Sequence, residues 1–489
     1  MLVFILCSIL MLAPALQGVW DFRVQFVFEA AVFMTGGFWL FRESISGRPP
    51  AFLTDKTNIP LLCAAFFSLL SALLSPVRAL VMPEWWTFAA GLCILVLGNS
   101  LKVRDLRLTD FALRISAWLI VLLSLYQAVI LKSSDISASL ANPNSLALFV
   151  LMVLPLAIKW KDLFLLGAAI IILVWTQSAA ALLALLVAAG FYAKDNMKAA
   201  DLKKNWWLLI VLASVTALAV SQLELRSFFD RMGWWRAALG MCADRPALGY
   251  GPGSFAYVYP AYHSHSAAGV ATTYVHNYYL EFLAENGVLS FLFWAWAVAF
   301  RLKAVRGLKK YALIAALVHS VVDFGLAVPA NFFIFCYLLS EPKPLESAVP
   351  VVRTGNKLPI VLIALGLACF IVLCGVFSSQ LKLERLRVRA LSDLYAGDYP
   401  RAEAALKEAA RIAPDNPLVP GMLGQIRMRA GFAEKDRNIL FSAAVELERA
   451  LILNPYNAAA WRDLERLYEG TGERKLLEGI RKRKEKVFK

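Results

Sequence analysis

The residues best suited to acid–base chemistry lie in one short run between two apolar segments. The run is Thr273-Tyr274-Val275-His276-Asn277-Tyr278-Tyr279-Leu280, and nine residues separate Asn277 from Gly287. His276 precedes an apolar helix for which Asn277 is a suitable N-cap, so the positive end of the helix dipole should keep the imidazole neutral. Because a neutral imidazole accepts a proton near physiological pH, His276 is the candidate general base. The alternative is that it only bonds a backbone carbonyl at the bilayer edge.

The other three histidines, His263, His265 and His319, lie in the same loop or in the apolar segments after it. A metal site of His263, His265 and His276 is an alternative, but no fourth ligand is evident, and neither a metal nor a cofactor is predicted. His319 and Asp323 are four residues apart in an apolar segment and should face each other on one helix. Ionisable groups inside a span are usually functional, although such a pair can also satisfy itself.

Arginines recur in the segment before His276. Arg231, Arg236 and Arg245 are candidate phosphate ligands, because a guanidinium pairs with phosphate oxygens through two hydrogen bonds. Arg231 and Arg236 cannot share one helical face, since residues five apart are separated by about 140°. The alternative is an interfacial anchor, in which Trp and Arg contact ordinary membrane lipids.

The glycine-rich run Gly249-Tyr-Gly251-Pro-Gly253 predicts a tight turn. No GK[ST] sequence follows it, and Pro252 removes a backbone donor that a phosphate-binding loop would need. Phosphate contact by this run is the less favoured alternative.

Composition fixes the fold class. The chain has 489 residues, of which 60% are hydrophobic, and apolar stretches long enough to cross a bilayer recur from the first residue onward. The predicted fold is an all-α polytopic membrane helix bundle of about 12–13 spans. The candidate spans are roughly 2–20, 24–41, 59–75, 79–98, 111–131, 145–159, 162–176, 177–193, 206–222, 279–300, 311–323, 325–340 and 358–378.

Charge predicts the orientation of the bundle. If the N-terminus is cytoplasmic, most Lys and Arg fall in the inner loops, as the positive-inside rule requires. The loop 223–278, which carries His276, is then extracytoplasmic, and so is the tail if there are thirteen spans. The same basic loops face anionic lipid, which explains the basic excess without nucleic acid.

The sequence predicts two units, a membrane unit over residues 1–378 and a soluble α-helical repeat domain over 382–489. In the second unit the segment Ala402–Pro417 is echoed by Ala443–Asn457, and 41 positions separate Pro414 from Pro455. This spacing equals one tetratricopeptide period plus about seven inserted residues near Phe432–Leu440. Generic helical hairpins are the alternative. Either array would offer a surface for a protein partner.

These motifs together resemble those of the bacterial O-antigen ligase and O-antigen polymerase superfamily. His276-Asn277, nine residues and Gly287-Val-Leu-Ser290 resemble the signature H-[NSQ]-x9-G-x-x-[GTQ], with Ser290 departing at the last position. The other matching segments are Arg231 ahead of Trp235, Pro246-x-x-Gly249-x-Gly251-x-Gly253-x-Phe255, Asn142-Pro143-Asn144, His319-Ser-Val-Val-Asp323-Phe and Pro329-Ala-Asn331. The resemblance extends from about residue 140 to about residue 340.

The resemblance implies transfer of a glycan from a polyprenyl-pyrophosphate donor to an acceptor hydroxyl at the outer face of the bacterial inner membrane, without nucleotide or metal. His276 would be the base, and Arg231 or Arg236 would bind the pyrophosphate, where a guanidinium stabilises the charge of the leaving group. Arg245 is a weaker candidate. The remaining candidate substrate-binding residues are Asn144, Asn277, Glu281, Glu285, His319 and Asp323.

One departure concerns the donor. Members of the superfamily often carry Ser-Arg-Gly or Ser-Arg-Ala at the outer end of a span, where the arginine is thought to bind pyrophosphate. Here the run is Gln177-Ser178-Ala179-Ala180. Either loop arginines replace that ligand, or the donor differs in linkage or position.

Several functions stay open at this point. The acceptor is a lipid, a growing glycan or a protein, so ligase, polymerase-type elongation and protein O-oligosaccharyltransferase activities are all compatible. A transporter or flippase would place charges in several spans, and few occur beyond His319 and Asp323. A membrane scaffold would not need so many spans.

Overall fold

The computed structural model describes residues 2–45, 55–140, 142–198, 225–262, 272–341 and 357–488, together with the isolated positions 214 and 217. Within these ranges the chain is helical and contains no strand, which confirms the predicted all-α helix bundle. The predicted span 206–222, apart from positions 214 and 217, and the residues His263 and His265 lie outside the described residues.

Besides one short helix, Phe255–Val258, twelve α-helices of ten or more residues in the described chain precede residue 342. They are α1 (Leu2–Leu12), α2 (Phe22–Ile45), α3 (Ile59–Leu73), α4 (Arg78–Asn99), α5 (Leu106–Leu125), α6 (Pro143–Lys159), α7 (Leu163–Trp175), α8 (Ala179–Asn196), α9 (Leu225–Asp244), α10 (Tyr278–Ala304), α11 (Leu308–His319) and α12 (Pro329–Leu338). The predicted spans 2–20, 311–323 and 325–340 were too long, because each continues as a turn or 3-10 helix beyond its α-helix.

Six helical segments among the described residues are long and apolar enough to cross a membrane, and four shorter apolar helices accompany them. The six are Phe22–Glu43, Lys56–Leu73, Arg78–Asn99, Val103–Ile130, Ala179–Asn196 and Tyr278–Ala304. Helix α6 is apolar on every side and is buried from Ser145 to Ala157, so it lies at the centre of the bundle.

The segments that connect the helices lie at the two ends of the bundle and make contacts there. At one end, Trp20 contacts Tyr274, and the Ser75 hydroxyl donates to the Tyr250 carbonyl. At the other end of α10, Arg301 donates to Asn58 at 2.6 Å. Ion pairs also join basic residues to carboxylates of other segments: Arg114 to Asp162, Lys159 to Asp110, and Lys310 to Asp195. The candidate site lies at the first end.

The C-terminal part begins with one long helix, α13 (Lys357–Tyr395), so the predicted boundary near residues 378–382 falls inside a continuous helix. The helices that follow are α14 (Tyr399–Ile412), α15 (Leu418–Glu434), α16 (Arg437–Leu453), α17 (Ala458–Thr471) and α18 (Arg474–Val487). Small residues bring these helices close together: a Cβ on Gly424 would lie 2.6 Å from the Leu447 side chain. The predicted tetratricopeptide character stays a prediction.

Candidate functional site

Helix α9 presents one face to the segment that carries His276. Arg231 and Trp234 are three residues apart and therefore neighbours on this face. The Trp234 ring stacks on the His276 ring with centroids 4.9 Å apart, and Arg231 Nη1 donates to the Val322 carbonyl at 2.9 Å. This face of α9 thus contacts both His276 and the link between α11 and α12.

His276 is held in a defined orientation directly before α10. Asn277 is the N-cap of α10, and its side chain accepts from the N–H groups of Tyr279 and Leu280, as predicted. The His276 backbone has φ 54°, an uncommon conformation for a residue other than glycine. Trp234 covers one face of the imidazole and Phe324 contacts it edge-on at 4.8 Å. The side chain remains 20% exposed.

A buried carboxylate faces the imidazole. Asp323 Oδ2 lies 3.6 Å from His276 Nδ1, and the Asp323 side chain is fully buried. This distance is longer than a hydrogen bond, as is common for catalytic pairs before substrate binds. Neither of these two atoms has a hydrogen-bond partner among the described residues. Asp323 Oδ1 accepts from the Gly325 N–H, which fixes the carboxylate.

The predicted helical pair of His319 and Asp323 is wrong. Helix α11 ends at His319, and the chain then turns. The turn is fixed from α10, because the Tyr278 N–H donates to the carbonyls of Ser320 and Asp323. Asp323 is therefore directed at His276. Both ring nitrogens of His319 are buried and have no hydrogen-bond partner in the described part of the chain.

The signature glycine marks a break in α10. Gly287 has φ 73° and ψ 172°, and a Cβ there would lie 2.3 Å from the Ala247 carbonyl oxygen. Val288 N–H donates to the Pro246 carbonyl instead of continuing the helix. Ser290, the departure from the family signature, is buried and donates to the Ala64 carbonyl at 2.9 Å. The glycine therefore lets the loop before Gly249 enter the helix break.

The glycine-rich run is a tight turn, as predicted, with positive φ at Gly249, Gly251 and Gly253. Its N–H groups are already occupied. Both Glu285 carboxylate oxygens accept from this loop: Oε2 from Gly253 at 2.8 Å and Oε1 from Phe255 at 2.9 Å. The turn is thus bound to α10 by a carboxylate, and the alternative of phosphate binding by these groups loses its donors.

Glu281 binds the segment that carries His276 to α10 in the same way. Its Oε2 accepts from the Val275 N–H at 2.8 Å, directly before His276. Glu281 and Glu285 lie one helical turn apart, as predicted, and each fixes a different loop to α10. Their part in substrate binding stays a prediction.

A cavity of about 230 Å³ lies next to this arrangement. Its walls include three carboxylates, Glu84, Glu281 and Glu285, and several aromatic rings, among them Trp20 and Tyr274. Tyr274 stacks on Phe324 with centroids 4.2 Å apart, and Phe324 contacts His276. Burial, followed by the nearby carboxylates Glu84 and Glu281, raises the pKa of Tyr274 well above its usual value. Its phenol is therefore a neutral hydrogen-bond donor.

The remaining candidates are placed as follows. Arg236 is exposed on α9, whereas Arg245 stacks on Tyr250 at 5.0 Å and donates to the Leu74 carbonyl. Asn144 lies in the first turn of α6, whose N-cap is Asn142. The Asn331 amide ties that turn to the Asp323 link, since it donates to the carbonyls of Ser145 and Gly325. Of the three arginines, Arg231 is the one that contacts the link carrying Asp323.

Sequence reasoning missed Trp234, Glu84 and Trp20. Trp234 lies three residues after Arg231, a spacing that places both on one helical face. Glu84 is an acidic residue within an apolar span, a feature that often marks function. Trp20 carries no such signal, because a tryptophan between two spans is common at membrane interfaces.

A comparison with protein families finds a match over a part of the chain that contains His276. Residues 164–295 match the family model Wzy_C, described as O-Antigen ligase. The matched region includes α9, the glycine-rich turn, His276, Glu281 and Gly287. A search of curated proteins finds no match. The family match supports an O-antigen ligase-like function in a multi-pass membrane protein, and such a family implies an enzyme of glycosyltransferase type with a lipid-linked glycan donor.

Proposed function

We propose that this chain is a bacterial inner-membrane glycosyltransferase that moves a glycan from a polyprenyl-pyrophosphate donor onto an acceptor hydroxyl at the extracytoplasmic face. The observation that carries the proposal is the His276 arrangement: an imidazole between Trp234 and Phe324, one-fifth exposed, with its Nδ1 facing the buried Asp323 carboxylate at 3.6 Å. Such an arrangement suits a general base, because a buried carboxylate holds the tautomer and stabilises the imidazolium that forms.

The chemical step needs one base and one cation. With a proton on Nδ1 directed at Asp323, His276 Nε2 has a free electron pair that accepts the proton of the acceptor hydroxyl. The hydroxyl oxygen forms a bond to the anomeric carbon of the donor. The bond from that carbon to the pyrophosphate oxygen breaks, and the pyrophosphate keeps the electron pair. The proton on His276 then returns to solvent.

Arg231 is the proposed ligand of the pyrophosphate. It lies one helical turn from Trp234, which stacks on His276, and its Nη1 bond to the Val322 carbonyl fixes the guanidinium beside the Asp323 link. A guanidinium placed there stabilises the negative charge that gathers on the leaving group. Arg236 is exposed on the same helix and is the second candidate, and Arg245 is third because Tyr250 and Leu74 already occupy it.

Two units are proposed, residues 1–378 for transfer and residues 382–489 as a tetratricopeptide-like domain that binds a protein partner. The acceptor is a lipid, a growing glycan or a protein. Ligase, polymerase-type and protein O-oligosaccharyltransferase activities differ only in this acceptor, and the same site serves each of them.

The test is a transfer assay with purified full-length protein, a polyprenyl-pyrophosphate glycan and a panel of lipid, glycan and protein acceptors. His276→Ala should lower the transfer rate by about 10²- to 10⁴-fold, the usual contribution of a general base. Donor binding should stay unchanged, since the base does not contact the pyrophosphate. Asp135→Asn, in an exposed loop, is the control for handling. Transfer by His276→Ala at the wild-type rate would refute the assignment.

A further inference from the structure

We infer that the cavity lined by Glu84, Glu281 and Trp20 binds the acceptor, as a single sugar ring that carries hydroxyl or amino groups and no phosphate. The inference rests on the proposed function and names the acceptor side of the same site.

Unpaired acceptor atoms line the cavity. Glu84, on α4, is exposed there, and its carboxylate makes no hydrogen bond to any described residue. Glu281 is only 5% exposed, and its Oε1 has no partner within the same ranges, because Val275 occupies only Oε2. A ligand that displaces water from these oxygens must replace the hydrogen bonds that the water made. A ligand that donates hydrogen bonds would supply what both carboxylates lack.

A donor for the ligand lies beside them. Asn286 is 3% exposed and lines the cavity, and its Oδ1 accepts from the Ser68 hydroxyl at 2.6 Å. That bond directs the amide NH₂ away from Ser68, and the NH₂ makes no hydrogen bond to the described chain. Hydroxyl groups both donate and accept, so a sugar could satisfy the two carboxylates and this amide together.

The aromatic walls suit the other face of a sugar. Trp20 packs against Tyr274 at 5.5 Å in an edge-to-face arrangement, and both rings line the cavity together with Tyr257. Trp20 is 41% exposed, so part of its surface is available to a ligand. Pockets that combine apolar walls with a few placed polar groups are typical ligand sites. The C–H face of a pyranose ring supplies the matching apolar surface.

The volume limits the ligand. Drug-sized ligands occupy pockets of about 300–1,000 Å³. At about 230 Å³ this cavity fits one sugar ring, and a longer glycan would have to extend past Trp20 and Glu84 at the exposed side.

Charge separates this cavity from the proposed donor position. Among the described residues, three carboxyl groups and no basic side chain line it, so the cavity offers no cation to neutralise a buried phosphate. A phosphate is therefore disfavoured there. Arg231, the proposed donor ligand, is not among the residues that line the cavity and instead contacts the Asp323 link through the Val322 carbonyl. The acceptor ring and the donor pyrophosphate would thus bind at separate places around the segment that carries His276.

The experiment measures acceptor specificity with soluble probes. Purified full-length protein in lipid nanodiscs, with a polyprenyl-pyrophosphate glycan as donor, is given methyl glucoside, methyl glucosaminide or methyl glucoside 6-phosphate. Wild type should use the first two and discriminate against the phosphate. Glu84→Gln should raise the KM for the glucosaminide about tenfold and weaken the discrimination against phosphate, because one charge is lost. The donor KM should not change.

Trp20→Phe is the second variant, and it should raise the KM for all three probes by a smaller and similar factor. Asp135→Asn, a surface carboxylate distant in sequence from every cavity residue, should behave as wild type. A Glu84→Gln protein with unchanged KM for every probe, or a wild type that prefers the phosphorylated probe, would overturn the inference.

A second measurement tests sugar binding in the cavity independently of the transfer reaction. A carbodiimide should label Glu84, and methyl glucoside should protect it, as read by peptide mass spectrometry without donor. Protection together with no transfer in any assay would count against the proposed function and in favour of sugar binding here. Absence of protection at saturating methyl glucoside would overturn the acceptor assignment, whatever the transfer assay gives.

Discussion

At the residue scale, the pairing of His276 with Asp323 depends on where a helix ends. In the sequence, His319 and Asp323 are four residues apart in an apolar run, and this spacing predicts that they share one helical face. The structure ends α11 at His319, because the turn that follows supplies the carbonyls of Ser320 and Asp323 to the first N–H of α10. Spacing alone cannot show that a neighbouring helix will take those carbonyls.

Asp323→Asn tests the pairing. The amide keeps the side-chain shape and the oxygen that accepts from Gly325, but it removes the negative charge that faces His276 Nδ1. The imidazolium that forms during transfer then loses its stabilising partner. We expect the glycan transfer rate to fall by about 10²-fold or more, measured at saturating donor.

The matched control for that variant is Asp135→Asn, which makes the same chemical change on an exposed loop and should retain wild-type activity. Combining Asp323→Asn with His276→Ala separates pairing from general damage. If the two residues act as one unit, the double variant should be no slower than His276→Ala alone. An Asp323→Asn protein within twofold of the wild-type rate would show that Asp323 does not position the base.

At the scale of elements, the first turns of α10 explain the spacing of the signature. Asn277 caps the helix, Glu281 binds the segment that carries His276, Glu285 binds the glycine-rich turn, and Gly287 opens the helix to the loop before Gly249. The cap and the tight turn could be predicted from the sequence, since both rest on local residue preferences. The two carboxylate anchors could not, because their partners are backbone N–H groups of distant loops.

Gly287→Ala tests the break in α10. The native φ of 73° is unfavourable for alanine, and the new Cβ would lie 2.3 Å from the Ala247 carbonyl oxygen, a backbone atom that cannot turn away. Strain and overpacking together should cost about 3 kcal/mol or more in the free energy of unfolding. The measurement is the temperature at which the purified protein in detergent loses its monodisperse peak in size-exclusion chromatography.

Gly167→Ala is the counterpart, because Gly167 lies within helix α7 and a Cβ there meets no atom within 4 Å. Alanine favours a helix over glycine by about 1 kcal/mol, so this variant should be as stable as wild type or more stable. If Gly287→Ala unfolded at the same temperature as Gly167→Ala, the helix break would have no part in holding the loop.

At the scale of the whole molecule, sequence reading gave the fold class and most helical segments, because long apolar runs identify themselves. It overestimated three spans near residues 2–20, 311–323 and 325–340, where hydropathy continues through turns that close the site end of the bundle. The domain boundary at residues 378–382 stays a prediction; it lies within α13, where the composition changes from apolar to charged.

The C-terminal helices contact the site end of the bundle. Arg78, at the start of α4, pairs with Asp415 at 3.4 Å, and the Tyr456 ring contacts the Tyr250 ring edge-on at 5.9 Å. Arg245, a predicted phosphate ligand, lies over the same Tyr250 ring. An exposed ion pair contributes little energy, so the apolar contacts of Leu418 and Tyr456 with the buried cluster that includes Trp234, Tyr250 and Phe255 are the more important ones.

The contact between the C-terminal helices and Tyr250 leads to a prediction about membrane orientation, which cysteine labelling can test. If the loop with His276 is extracytoplasmic, the C-terminal helices that contact Tyr250 must lie on the same side. In a variant without native cysteines, single cysteines at Asp135 and at Phe441, which is 74% exposed, should react with a membrane-impermeant maleimide in intact spheroplasts. A cysteine at Lys161, exposed in the link between α6 and α7, should react only after permeabilisation, since that link belongs to the basic end predicted to be cytoplasmic. If the cysteine at Phe441 reacted only under the conditions that expose Lys161, the docked arrangement would be contradicted. If the cysteine at Asp135 reacted only after permeabilisation, the orientation would be reversed, and the donor and acceptor assignments depend on that orientation.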